Sequence, residues 1–197
     1  MSGPQPELLS DVLNHILAAA ETCLETCDRP IPDAVYHHHG PRRPPADCCD
    51  FLTVHVRQIR PTTDGEGGQS AFPASFIGVP NNCGQIMMAV DASLTLNRPC
   101  FPTLKDDKAD PFPTPAEMQT ASDELAIDAR VLWCCLLATQ AAGNLFPPGP
   151  DFADLCDVVW GNMLPFRGGG CAGWEWEFTL NMPACCWPAP PVPASGS

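Results

Sequence analysis

Residues 85–97 read QIMMAVDASLTLN, and residues 174–182 read WEWEFTLNM. Both alternate with period two, and that period decides the fold class. In the first stretch Ile86, Met88, Val90, Ala92, Leu94 and Leu96 point one way, and Met87, Ala89, Asp91, Ser93, Thr95 and Asn97 point the other. In the second, Trp174, Trp176, Phe178, Leu180 and Met182 share a face opposite Glu175, Glu177, Thr179 and Asn181. Strands with one apolar and one polar face belong to an antiparallel sheet that packs on one side and meets water on the other.

Working outward, residues 51–60 (FLTVHVRQIR) predict a further strand, with Leu52, Val54 and Val56 alternating with Thr53, His55 and Arg57. Residues 156–160 (CDVVW) predict a short one, and Gly168-Gly169-Gly170 turns the chain into the last. Helices flank the strands. Over 7–27, Leu9, Val12, Leu13, Ile16, Leu17, Ala20 and Leu24 recur at helical spacing, and Pro30 and Pro32 end the run. Thr114-Pro115-Ala116-Glu117 is a capping-box start with proline at the first helical position. That helix runs to about Ala142 and stops at Gly143-Asn144, and its second half is apolar enough to expect burial on two sides. Residues 28–50, 62–84 and 98–113 read as loops, the last with an exposed Lys105-Asp106-Asp107-Lys108 tip. The order helix, strand, strand, helix, strand, strand predicts an α+β domain. Its mixed or mostly antiparallel sheet of about four strands is covered by two helices on one face. Residues 1–187 form this single domain, and 188–197 form a flexible Pro/Ala-rich tail.

Composition narrows the function. The chain has 197 residues, 24 prolines, 12 cysteines and a net charge of −13. Ten basic against 23 acidic residues oppose a surface built to neutralise phosphates. No apolar run is long enough to span a membrane, and the first residues show no secretory signal. The cysteines are therefore expected as reduced thiols, with disulfides formed later in a particle that leaves the cell, or a structural metal, as the alternatives.

The motifs that suggest chemistry all have plainer readings. His37-His38-His39 lies between Cys27 and Cys48-Cys49, but adjacent cysteines diverge and do not share one tetrahedral ion, so no metal site is expected. The histidines read as a solvated run. His55 with a cysteine would need a local base and a lowered thiol pKa, for which no signature exists. The triple glycine lacks the lysine and Ser/Thr of a phosphate loop. Glu175 and Glu177 share a strand face about 7 Å apart, a spacing that catalytic carboxylates use and that exposed acids share. The Trp174/Trp176/Phe178 stripe reads as core or subunit interface. No catalytic, cofactor-binding or metal residues are expected.

One segment goes further. Gly169-Gly170-Cys171-Ala172-Gly173-Trp174, followed by an alternating strand, resembles the "GGCAGW" segment of neck and tail proteins in siphoviruses of Actinobacteria. Asp47-Cys48-Cys49-Asp50 before a strand, Arg98-Pro99-Cys100-Phe101-Pro102 after one, and Asp157-Val158-Val159-Trp160 follow the same order as in those proteins. The resemblance covers about residues 8–187, and the element order is similar to phage tail terminators. It implies a non-enzymatic virion protein made in the host cytoplasm. Its subunits would form a hexameric ring at the head–tail junction, contacting the tail-tube protein and neck or connector proteins. DNA would pass through without specific binding, and an acidic lumen would repel it. Asp91, Glu175 and Glu177 are the candidate lumen acids, and Trp160, Trp174 and Trp176 the candidate subunit-interface residues. The long 62–84 connection and the proline-rich tail depart from the pattern, so a head–tail adaptor or stopper is the near alternative. A Cys/His metal-binding enzyme or redox protein is the alternative of another class.

Overall fold

The apolar stripe near the N-terminus forms helix α1 (Leu8–Thr26), and Val12, Leu13, Ile16, Leu17, Ala20, Cys23 and Leu24 are buried along it. The structure, a computed structural model, describes residues 8–39, 50–62, 87–99, 114–146, 156–168 and 171–183. Asp28 takes a positive φ of 54°, and the Arg29 N–H returns to the Leu24 carbonyl at 2.9 Å. The helix thus closes on a left-handed residue before either proline is reached.

Five strands follow among the described residues: β1 (Ala34–His39), β2 (Phe51–Thr62), β3 (Met87–Pro99), β4 (Asp157–Gly168) and β5 (Cys171–Pro183). Helix α2 (Pro115–Ala141) stands between β3 and β4. The sheet order is β1-β2-β3-β5-β4, antiparallel except for the parallel β1–β2 pair. The α+β class and the mixed sheet are as predicted. The fifth strand is β1, which lies within the expected loop 28–50. Its three histidines and flanking prolines hide its pattern, and its hydrogen bonds come from β2 rather than from a hairpin partner. β4 also outruns its prediction. A bulge between Trp160 and Met163 absorbs Gly161 and Asn162, and the strand continues to Gly168.

The alternation is realised across the whole sheet. Val54, Leu94, Trp176 and Met163 form one cross-strand row on the apolar face, where α1 packs on β1 and β2 and α2 packs on β5. Thr53, Thr95, Glu175 and Leu164 form the neighbouring row, which points the other way.

α2 starts on the predicted capping box. Glu117 N–H donates to Thr114 Oγ1, and the Thr114 N–H donates to the Glu117 carboxylate at 2.7 Å. It stops at Gly143, whose φ is +70°. The expected two-sided burial of its second half is not seen among the described residues. Asp128, Ala129, Leu132 and Leu136 are buried, but Trp133 is 42 % exposed and Cys134 is exposed.

Cys23 of α1 and Cys135 of α2 form a disulfide, against the expectation of reduced thiols. The antiparallel helix contact brings their Cα atoms to 5.6 Å, within bonding range, though 112 residues separate them in sequence. Among the described residues Cys27 and Cys134 are exposed thiols, and Cys156 and Cys171 are buried. Most of the expected loops 62–84 and 98–113, and the whole of the expected tail 188–197, lie outside the described residues.

Candidate functional site

The face of the sheet turned away from the helices gathers the polar residues. β1 contributes Tyr36 and His38, β2 Thr53 and His55, β3 Asp91, Ser93 and Thr95, and β5 Glu175, Glu177 and Thr179, all aligned by register. All three candidate lumen acids stand here, as alternation required. Their surroundings are not those of bare carboxylates. Arg60 Nε donates to Asp91 at 3.1 Å and Thr179 Oγ1 donates to it at 2.8 Å. Arg57 Nη1 donates to Glu177 at 2.7 Å. Arg57 is the extra residue of a β2 bulge between Val56 and Gln58. Burial alone would push Asp91 up. The hydrogen bonds from Arg60 and Thr179 and the charges of Arg60 and Arg57 outweigh it and hold the carboxyl below its ordinary value.

This face is not wet along its length, which corrects the sequence expectation. Thr53, His55, Ser93, Thr95, Asn97 and Asn181 are buried, and Glu175 is only 7 % exposed. Alternation tells which residues share a face but not what covers it. Thr53 Oγ1, Ser93 Oγ and the Asn181 amide are buried without a hydrogen-bond partner among the described residues. Ser93 lies between His55 and Glu177 in one cross-strand row, yet its hydroxyl bonds to neither. An activated serine needs a base within hydrogen-bond reach, so this row lacks a primed nucleophile.

The histidine run is a strand, not a solvated loop. Successive residues of β1 face opposite sides, so His37 and His38 diverge. His37 Nδ1 meets Asn14 Oδ1 of α1 at 3.0 Å. His38 stacks on His55 with ring centroids 4.5 Å apart. Burial, then the neighbouring His55, His39 and His37, lowers the His38 pKa. No group of three or more His, Cys, Asp or Glu among the described residues is arranged to hold a metal.

On the helix face Trp133, Trp160 and Trp176 form one cluster. Trp176 is 1 % exposed and is a core residue, one of the two expected roles of the stripe. It is stacked between Trp133 of α2 at 5.0 Å and Trp160 of β4 at 4.1 Å. Trp160 Nε1 donates to Gln140 Oε1 at 2.6 Å, and Trp174 Nε1 donates to the Leu125 carbonyl at 2.8 Å. Trp160 and Trp174 remain half-buried, so part of each is open to a neighbour.

Sequence reading missed a buried ionic hub. Asp128 of α2 is 2 % exposed and accepts from Arg29 Nε at 2.6 Å and from Arg98 Nε at 3.1 Å. Arg98 also grips both oxygens of Asp50 at 3.0 and 3.1 Å and donates to the Pro30 carbonyl. Arg29 reaches Glu124. Burial raises the Asp50 pKa despite Arg98. The available signal was Asp128 itself, an acid between Leu125 and Leu132 on the apolar stripe of α2.

No family model and no curated protein matches this chain. Among the described residues, no helix is long and apolar enough to cross a membrane.

Proposed function

We propose that the chain is a structural virion protein. It would be a subunit of a homo-oligomeric ring, six-fold as the resemblance implies, that caps the tail tube at the head–tail junction. The ring joins the tube to the neck, and DNA passes through its lumen without specific binding.

The observation that supports this reading is the use to which the resembling motifs are put. Asp50 and Arg98, from two separate motifs, form one ion pair beside Asp128. A methyl at Gly173 would run into the Leu96 carbonyl, so glycine there lets β5 lie close on β3. Trp174 ties β5 to α2 through Leu125. The motif residues join elements to one another, and a signature spent on framework suits a subunit whose work is shape. Asp91 and Glu177 are the acids of the polar face that keep exposure, each balanced by an arginine. Lumen repulsion therefore rests on the overall −13 rather than on these two positions.

Mass photometry and negative-stain microscopy of the purified chain test the reading. Rings with a central hole are the expected result. A strictly monomeric species at all concentrations would sink it.

A further inference from the structure

A groove of about 620 Å³ lies between the first turns of α2 and the closed end of the β4–β5 hairpin. Pro115, Met118 and Leu125 form one wall, and Pro165, Phe166 and Trp174 the other. Met118 is 40 % exposed there. Among the described lining residues none carries a charge, in a chain whose net charge is −13. Trp174 spends its indole N–H on Leu125, so it offers the groove an apolar ring. Ser122 supplies a hydroxyl at the rim.

We propose that this groove receives the proline segment 188–193 (PAPPVP) of a second copy of the chain. The proposal rests on the self-association of the preceding reading and names the contact that carries it.

Three observations select the occupant. The segment from 184 to 197 has no charged side chain, so it matches the uncharged lining that the described residues give the groove. Its proline spacing favours an extended left-handed helix that is preformed and loses little entropy on docking. Such helices seat their prolines against aromatic and apolar walls and use scattered donors for their carbonyls. Reach then separates a neighbour's tail from the chain's own, of which only Val192 and Pro193, nine and ten residues beyond Pro183, span the distance. Trp174 lies nine residues before Pro183 on β5, about 30 Å away at strand rise. Pro190 and Pro191 lie seven and eight residues beyond Pro183, at most about 25–29 Å away when fully extended. The centre of the segment falls short of the groove of its own subunit. Delivered from a neighbour, tail into groove is a heterologous contact, the kind that repeats around an axis to close a ring.

The test is photo-crosslinking of the full chain with a benzophenone amino acid in place of Val192, resolved on a reducing gel. Covalent dimers whose peptides join position 192 to Met118, Phe166 or Trp174 are expected. Met118→Asp should cut the dimer yield at least about tenfold by placing a charge in the apolar wall. Should that variant misfold by circular dichroism, Pro190→Ser with Pro191→Ser gives the same loss from the tail side. Products of monomer mass alone, or dimers joined outside the groove, overturn the proposal. Mass photometry of the same samples separates the two readings. Oligomers without the groove crosslink sink the tail contact and leave the ring, whereas monomers alone sink both.

Discussion

Asp128 shows how one side chain couples distant parts of this fold. It is buried, and Arg29 and Arg98 approach its carboxylate from two sides. Removing one member of such a group strands the opposite charges away from water. Asp128→Ala is expected to cost about 3–5 kcal/mol, read as a lower urea midpoint. His38 couples the fold to pH. Its folded pKa lies below the ordinary value of 6.5, so the unfolded chain binds a proton that the folded chain refuses. Stability from this group is full above the unfolded value and is lost as pH falls from there through the folded one. The urea midpoint should therefore drop as pH falls below about 6.5, and His38→Phe should flatten that drop. An unchanged slope in the variant would assign the pH dependence elsewhere. Asp91 and Asp50 act at lower pH and in opposite senses. Asp91 sits below 3.8, so its contribution is present above that value and lost as pH falls through the folded pKa. Asp50 sits above 3.8, so its contribution is present at low pH and lost as pH rises through the folded pKa. Asp91→Asn should therefore lessen the loss of stability on the acid side, measured as the fall in melting temperature.

Between elements, the joint that matters most is the one between the helices. α1 and α2 pack antiparallel and are locked by Cys23–Cys135. In the chain-entropy account a crosslink closing a loop of this length contributes about 4–5 kcal/mol by restricting the unfolded chain. Cys23→Ser with Cys135→Ser, or simple reduction, should lower the melting temperature markedly. A melting temperature indifferent to reductant would mean that helix packing alone holds the pair. The start of α2 is a smaller joint. Thr114→Ala removes its cap and should cost about 1 kcal/mol in chemical denaturation. The β-bulges act differently. At Val56/Gln58 and Trp160/Met163 they let long strands keep their apolar residues on the helix face after an irregular stretch. That is why β4 could not be followed past Trp160 by alternation alone.

For the molecule as a whole, the sheet presents two unlike faces. One is sealed by helices, and the other carries paired arginines and acids among buried polar groups. The end of the hairpin leaves an uncharged groove. In the proposed assembly the position along the tail axis follows from the neighbours. Crosslinking in intact particles should join this chain to the tail-tube protein. Crosslinks to the portal instead would move it to the adaptor position.

What the sequence determined by itself was local. Period-two alternation in 87–97 and 174–182 set which residues share a face, and the stripe in α1 and the Thr114 capping box set the helices. These patterns repeat within a few residues, so neighbouring side chains suffice to reveal them. Other features were decided by tertiary contact alone. β1 exists because β2 lies alongside it. Cys23 finds Cys135 because two helices cross there. Arg29 and Arg98 find Asp128 across 99 and 30 residues. The polar strand face, expected to be wet, is largely buried. Each depends on which distant segment comes to rest against which. Periodicity carries no information about that, because it reports the direction of a side chain and not the partner it meets.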